Sequence, residues 1–237
     1  MKIKFVLLIV FFVLSSCKDD KNLESVYYHR GDEFYNAKNY SGAIKEYDKV
    51  IEINSLNQNA YFSRGSAKFN TGNYEEAIKD YGKVLEISPS NYVALNSRGI
   101  TYFRLKDYDN AIVDFNEAIK LYNGNTEAYN NRGYTYFTLG KYDEALEDYT
   151  TALQFDSANA MLFYNRGIVL ENSGNLDRAI EDFSDAISIN PDNAENFIAR
   201  GMVYIKQNKK SDACKDFAAA VELSPGKYDS YIDKYCK

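Results

Sequence analysis

The chain has 237 residues, of which 45% are hydrophobic and 26% charged, and its formal net charge is −6. Its 22 tyrosines and 14 phenylalanines exclude a disordered chain, because disordered chains are poor in aromatic residues. The acidic balance, with no basic stripe, excludes nucleic acid as an expected partner.

Residues 1–16 differ from the rest of the chain. Lys2 and Lys4 precede an unbroken run of ten apolar residues from Phe5 to Leu14. Ten helical residues are about 15 Å long, half of the roughly 30 Å hydrocarbon core, so this run is too short to span a bilayer. The profile indicates a cleaved signal peptide, with a short buried helix as the alternative.

The apolar run ends in the sequence LSSC, whose last residue is Cys17. This tetrapeptide resembles the lipobox of bacterial lipoproteins, in which the cysteine becomes the lipidated N-terminus of the mature protein. Lys18 follows it, unlike the aspartate of the inner-membrane retention signal of enteric bacteria. The resemblance therefore implies an outer-membrane lipoprotein of a bacterial cell envelope, on either the periplasmic or the surface face.

Removal of residues 1–16 leaves 26 basic and 34 acidic residues, a formal charge of −8. An acidic body is poorly suited to binding anionic lipid, so we expect the lipid on Cys17 to be the membrane anchor. Residues 17–23 form the tether that follows it.

From residue 24 the sequence repeats every 34 residues without insertion or deletion. A fixed period of this length indicates stacked supersecondary units. An Arg-Gly pair marks each copy, at 30–31, 64–65, 98–99, 132–133, 166–167 and 200–201. The six predicted repeats are 24–57, 58–91, 92–125, 126–159, 160–193 and 194–227.

Each repeat has the pattern of two helices. When the residues of a repeat are numbered from 1 to 34, positions 4, 8 and 11 share one face of a first helix. Positions 17, 20, 21, 24, 27 and 28 form the apolar stripe of a second helix. Asparagine before most of the first helices suits an N-cap, and Gly72, Gly140 and Gly174 suit a left-handed turn between the two helices.

Glycine at position 8 costs about 1 kcal/mol relative to alanine in a helix interior. Alanine at position 20 of all six repeats predicts a compensating close approach of the two helices, with the aromatic rings of positions 4 and 24 around the contact. The residue before this glycine is always arginine, and an acid always follows it sixteen residues later. We therefore expect ion pairs between the two helices. The predicted pairs are Arg30–Glu46, Arg64–Asp80, Arg98–Asp114, Arg132–Asp148, Arg166–Asp182 and Arg200–Asp216.

These positions resemble the tetratricopeptide repeat, with an aromatic at 4, glycine at 8, Tyr or Phe at 11, alanine at 20, an aromatic at 24, alanine at 27 and proline at 32. The resemblance covers Glu24 to Lys227, and Lys68 at position 11 departs from it. The family implies an all-α, right-handed superhelical solenoid of six helix-turn-helix repeats, whose first helices line a concave groove. Residues 228–237 then form a C-terminal capping helix.

Once Cys17 carries lipid, Cys214 in the last second helix and Cys236 in the capping helix remain as a pair in an oxidising envelope. We expect a disulfide between these two cysteines. Two buried thiols are the alternative.

The candidate binding surface is the first-helix face at positions 2, 5, 6, 9, 12 and 13. Only three of its 24 residues in repeats two to five are charged, unlike an ordinary solvated face. Rings and asparagine amides favour an extended peptide as ligand, because amides pair with both N–H and C=O groups. The alternative is that part of this face packs neighbouring repeats together. The candidate groove residues are Phe62, Phe69, Asn96, Phe103, Asn130, Asn131, Tyr134, Phe137, Tyr164 and Asn165.

The sequence gives little support for a catalytic site or a metal site. His29 is the only histidine, which excludes a histidine-rich metal cluster, and Cys214 has no histidine in its own repeat to activate the thiol. No glycine-rich phosphate loop occurs, so no cofactor and no metal are expected. The sequence therefore predicts a non-enzymatic scaffold that binds a protein or peptide partner in its groove.

Two other functions stay open. The protein could be a structural subunit of an envelope assembly or secretion complex, in which convex or terminal surfaces make the contacts. The other alternative is an enzyme or a glycan-binding protein.

Overall fold

The structure is a computed structural model and describes residues 22–237; the predicted signal peptide, Cys17 and most of the tether lie outside the described residues. Within that range the chain is all-α and has no strand, as predicted. Its helices are α1 (22–36), α2 (Tyr40–Ile53), α3 (Gln58–Asn70), α4 (Tyr74–Ile87), α5 (Tyr92–Arg104), α6 (Tyr108–Leu121), α7 (Thr126–Thr138), α8 (Tyr142–Phe155), α9 (Ala160–Asn172), α10 (Leu176–Ile189), α11 (Ala194–Lys206), α12 (Lys210–Leu223) and α13 (Asp229–Tyr235).

These helices form two compact units that divide after Leu121. Unit 1 contains α1 to α6, and unit 2 contains α7 to α13. From α3 to α11, each first helix packs against the second helix that follows it. From the second repeat onward, every odd-numbered helix up to α11 begins at the first residue of a 34-residue repeat.

Asparagine side chains cap these first helices. The Asn57 side chain accepts a hydrogen bond from the backbone amide of Ala60 at 2.9 Å. Asn91 accepts one from Ala94 at 3.0 Å. The same cap occurs at Asn125, Asn159 and Asn193. Because the first amides of a helix have no partner within the helix, each cap favours a helix start at this point.

A left-handed residue at position 15 separates the two helices of a repeat. Gly72, Gly140 and Gly174 have φ of +80°, +72° and +83°. The other three repeats place Lys38, Lys106 and Asn208 there, with φ of 58°, 62° and 60°. Side chains disfavour this region, so these three residues take a conformation that the repeat geometry imposes.

The glycine at position 8 makes room for the aromatic ring at position 24. A Cβ on Gly99 would lie 2.7 Å from Cε1 of Phe115, and a Cβ on Gly167 would lie 2.8 Å from Cε1 of Phe183. The nearest atoms belong to the ring and not to the alanine of position 20, which corrects the predicted reason for the glycine. A fully buried ring contributes about 2–3 kcal/mol, more than the lost helix propensity.

The position-7 arginines form bidentate ion pairs with the second helix of their own repeat. Arg64 donates from Nε and Nη2 to the two carboxylate oxygens of Asp80, at 2.9 and 2.6 Å. The five carboxylates in such pairs are 3–5% exposed, and a buried carboxylate requires this pairing. Arg30 lies farther from Glu46, at 3.8 Å. The other bidentate pairs are Arg98–Asp114, Arg132–Asp148, Arg166–Asp182 and Arg200–Asp216.

Arg64, Arg166 and Arg200 also contact the preceding repeat through Nη1. The acceptors share position 25, on the second helix of that repeat. The contacts are Arg64–Asp48 at 2.5 Å, Arg166–Thr150 at 3.2 Å and Arg200–Ser184 at 2.9 Å. The arginine therefore connects consecutive hairpins as well as the two helices of one hairpin, a role that the sequence analysis missed.

Lys68, which departs from the repeat pattern at position 11, has a structural role of its own. Its Nζ lies 2.8 Å from Oδ2 of Asp80, and its side chain is 15% exposed. The lysine thus supplies a second cation to a buried carboxylate where other repeats place an apolar side chain.

Helix α13 covers the end of unit 2. A disulfide joins Cys214 of α12 to Cys236, with the two Cα atoms 5.7 Å apart. The rings of Tyr231 and Tyr235 lie 5.3 and 5.7 Å from the ring of Phe217. One covalent bond and several ring contacts therefore hold α13 against the last repeat.

Candidate protein-binding site

Each unit presents a row of first helices. We call the side chains at positions 2, 5, 6, 9, 12 and 13 of α1, α3 and α5 the N-terminal face, and those at the same positions of α7, α9 and α11 the C-terminal face. In unit 2, α9 contacts both α7 and α11, so side chains from all three helices lie on one surface.

The five candidate rings at positions 5 and 12 pack inside their own repeats. Position 5 packs against the ring at position 24, and position 12 against the ring at position 17. The centroid distances are 5.5 Å for Phe62–Tyr81, 5.7 Å for Tyr164–Phe183, 5.4 Å for Phe69–Tyr74, 5.4 Å for Phe103–Tyr108 and 5.9 Å for Phe137–Tyr142. These rings are half-buried, so they join first and second helices and offer only part of their surface to a ligand.

The candidate amides also contact neighbouring repeats. Asn165 Nδ2 donates to Asn130 Oδ1 at 2.8 Å, and Asn130 Nδ2 lies 3.5 Å from Asn131 Oδ1. Asn96, at the same position as Asn130, is only 4% exposed. This burial corrects the expectation that Asn96 lines an open groove. An amide that is buried to this extent leaves almost none of its surface accessible to a ligand.

Three large apolar side chains stay exposed on the two faces. Val93 is 46% exposed on the N-terminal face, and Tyr134 and Met161 are 48% and 56% exposed on the C-terminal face. They occupy positions 2 and 9 of their repeats. Exposed carboxylates, Glu127 and Glu195, occupy position 2 in the other repeats of unit 2. The C-terminal face therefore combines apolar side chains with negative charge.

Unit 2 also contains an open pocket of about 450 Å³ between α9, α11 and residues 228–237, which we call the capping segment. Its apolar lining includes Tyr164, Ile168, Met202, Tyr228 and Tyr231. Burial raises the pKa of Tyr164, so its phenol is neutral at physiological pH. Of these residues, only Tyr164 and Ile168 belong to the binding surface predicted for repeats two to five, because the pocket also depends on the placement of the capping segment.

Two ion pairs lie at this pocket. Lys206 Nζ is 2.9 Å from Glu171, and Lys227 Nζ is 3.3 Å from Glu195. Glu171, Glu195 and Lys227 line the pocket.

No cluster of three or more His, Cys, Asp or Glu residues that could hold a metal ion occurs among residues 22–237. His29 is exposed on α1. In the part of the chain that the structure describes, no helix is both long and apolar enough to cross a membrane.

Several solved structures share this fold. PilF of Pseudomonas aeruginosa is 17% identical with a TM-score of 0.75, over 91% of this chain and 99% of its own. A tetratricopeptide repeat protein of Parabacteroides merdae is 21% identical with a TM-score of 0.66, over 90% of this chain and 82% of its own. YrrB, described as a tetratricopeptide repeat protein with an unusual peptide-binding site, is 22% identical with a TM-score of 0.63, over 79% of this chain and 97% of its own. No curated protein matches the sequence.

Family models match the repeats directly. The tetratricopeptide repeat model matches residues 59–91, 92–125, 126–159 and 160–193, and a second model of that description matches 194–227. A model described as TPR repeat matches 31–72. With the hairpins, capped helices and position-8 glycines described above, these matches show that the chain belongs to the tetratricopeptide repeat family.

Proposed function

We propose that this protein is a non-enzymatic adaptor, anchored to the bacterial outer membrane by lipid on Cys17, which binds a protein or peptide partner on the first-helix faces of its repeats. The observation that carries the proposal is the exposure of Tyr134 and Met161 on the C-terminal face. These large apolar side chains lie on a face that carries few charges. Contact with a partner surface is more favourable for them than exposure to water.

The family supports an interaction scaffold as the general function, and the description of YrrB names a peptide-binding site in that protein. The internal packing of the rings at positions 5 and 12 narrows the proposed contact surface. In this proposal the side chains at positions 2 and 9 contact the partner. The half-buried rings of Phe137 and Tyr164 lie beneath this contact surface.

The envelope location is supported by the sequence of the N-terminus and by the disulfide. The basic start, the apolar run and Cys17 form a lipoprotein signal. The bond between Cys214 and Cys236 suits an oxidising compartment, because cytosolic thiols are kept reduced. Cys17→Ser is expected to move the protein from the membrane fraction to the soluble fraction. Unchanged membrane retention of Cys17→Ser would contradict the lipid anchor.

The binding face can be tested by substitution. Met161→Arg places a charge on the C-terminal face, and Glu181→Arg makes a comparable change on the exposed surface of α10. Partners would first be identified by chemical crosslinking in intact cells. We expect Met161→Arg to abolish capture of the main partner and Glu181→Arg to leave it unchanged. Loss with Glu181→Arg alone would contradict the proposed face.

One observation favours the second candidate, a subunit of an envelope assembly. The last residue of several second helices is a large, exposed apolar side chain: Leu121 at 39%, Phe155 at 51%, Ile189 at 39% and Leu223 at 39%. Phe155, Ile189 and Leu223 place such a side chain in each repeat of unit 2. Serine substitution of these three together would remove an assembly contact there and leave a first-helix partner bound.

A further inference from the structure

The pocket of unit 2 is closed on one side by the capping segment. Two tyrosines of this segment, Tyr228 and Tyr231, face residues of α9 and α11 such as Ile168 and Met202. The repeated helices alone do not form this wall, since it begins after the last repeat. The apolar composition of both walls suits a hydrocarbon side chain.

The wall is held in place by the chain itself. Tyr231 packs on Phe217 at 5.3 Å, and the disulfide between Cys214 and Cys236 joins α13 to α12. A wall fixed before binding reduces the ordering that a ligand must impose.

The net charge of unit 2 favours a basic ligand. At the pocket itself, Lys206 pairs with Glu171 at 2.9 Å and Lys227 pairs with Glu195 at 3.3 Å. Unit 2 as a whole carries 12 Lys and Arg against 18 Asp and Glu, a formal charge of −6. The pair between Lys227 and Glu195 is well exposed, and exposed pairs are weak, so a ligand cation can replace Lys227 with little loss.

We propose that this pocket receives one large aliphatic side chain of an extended, basic segment of the protein partner, and that a neighbouring lysine or arginine of that segment pairs with Glu195. The inference rests on the proposed protein-binding function and deepens it by naming the chemistry of the partner. In this inference, the capping segment determines which partner segment the C-terminal face binds.

The test uses a fluorescein-labelled decapeptide of glycine and serine that contains one central leucine flanked by two lysines. Two matched peptides replace the leucine by alanine or both lysines by glutamate. Fluorescence anisotropy with the intact protein is expected to show binding of the leucine-lysine peptide at concentrations below about 1 mM. Each matched peptide should bind at least tenfold more weakly, because it loses either the buried methyl groups or the charge pairing.

Glu195→Lys provides a charge exchange at an exposed residue. It is expected to weaken binding of the lysine peptide about tenfold and to strengthen binding of the glutamate peptide, a gain that unfolding would not produce. Glu181→Lys is the matched control, since Glu181 is an exposed carboxylate on α10, outside the C-terminal face, and does not line the pocket. It should leave both affinities within twofold of the unchanged protein.

Three results would overturn the inference: no anisotropy change up to about 1 mM, equal affinity for the leucine and alanine peptides, or equal effects of Glu195→Lys and Glu181→Lys. The proposed function fails separately. If Met161→Arg removes the cellular partner while the peptides do not bind, the C-terminal face stands and the pocket inference fails. If the peptides bind as expected but no cellular partner depends on this face, the pocket stands and the adaptor function fails.

Discussion

Replacement of Gly167 by alanine tests the reason for the glycine that recurs in every repeat. The new Cβ would lie 2.8 Å from Cε1 of Phe183 and 3.0 Å from its Cδ1 and Cζ. Favourable carbon contacts begin at about 3.5 Å, so the overlap is about 0.7 Å. Phe183 is fully buried, and a closely packed interior leaves its ring little room to move.

The expected change is a balance of two effects. Overpacking destabilises the variant by about 1–3 kcal/mol, and the higher helix propensity of alanine stabilises it by about 1 kcal/mol. We expect a net destabilisation of about 1 kcal/mol, which lowers the melting temperature of a chain of this size by about 2–4 °C. At Gly133 a new Cβ meets Tyr149 Cζ and Asp148 Cβ at 3.2 Å, which a shift of a few tenths of an ångström relieves. Gly133→Ala should therefore lower the melting temperature less than Gly167→Ala does.

The assay is thermal unfolding followed by circular dichroism at 222 nm. Adding Phe183→Leu to Gly167→Ala removes the atoms that the new methyl group meets. We expect the loss in the double variant to be smaller than the sum of the two single losses by about 1 kcal/mol. Equal shifts for Gly167→Ala and Gly133→Ala, or strict additivity in the double variant, would refute the reasoning.

Three further predictions concern stability. Lys106→Gly should raise the urea midpoint, because Lys106 has φ of 62° and glycine adopts this region without steric conflict. The expected gain in the free energy of unfolding is about 0.5–1 kcal/mol. A lower urea midpoint would contradict this expectation. Arg166→Ala should destabilise the protein by about 3–5 kcal/mol because it leaves the buried Asp182 unpaired. Lys215→Ala, which breaks an exposed pair, should leave the urea midpoint unchanged. Similar urea midpoints for the two variants would show that the buried pair is dispensable. Burial raises the pKa of Tyr81 to about 12, above the value of about 10 in the unfolded chain. The stability that this tyrosine contributes is therefore complete below pH 10 and lost as the pH rises from 10 to 12, by up to about 2–3 kcal/mol, and urea titrations of Tyr81→Phe should show a smaller alkaline loss.

The sequence predicts the helical hairpins well because their determinants are local and repeated. Asparagine caps, a left-handed residue at position 15 and apolar stripes fix the start and end of each helix. The recurrence of arginine and acid sixteen residues apart also predicts the five bidentate pairs, since two helices joined by a short turn bring those positions together. One example is Arg98 with Asp114, at 2.8 Å.

Contacts between repeats are less predictable from sequence. The second contact of Arg64, to Asp48, depends on the stacking of one hairpin on the next, and position 25 has no fixed residue type. The same stacking brings Asn130 against Asn165. Amphipathic periodicity cannot separate a face that packs on the next repeat from one that meets a ligand, because both are poor in charge.

The pocket of unit 2 shows a third limit. Only the placement of the capping segment, which lies outside the repeats, brings Tyr228 and Tyr231 against α9 and α11. The two cysteines indicate that α13 is attached to α12, but they do not specify which side chains then meet.

Site-specific photocrosslinking in living cells tests the central claim most directly, which is that the first-helix face of the repeats binds the partner. p-Benzoylphenylalanine would replace Met161 on α9 in one strain and Glu181 on α10 in another. We predict a discrete crosslinked protein at Met161 and none at Glu181. The same crosslinked protein at Glu181, with none at Met161, would contradict the claim and assign the interaction to the second-helix surface.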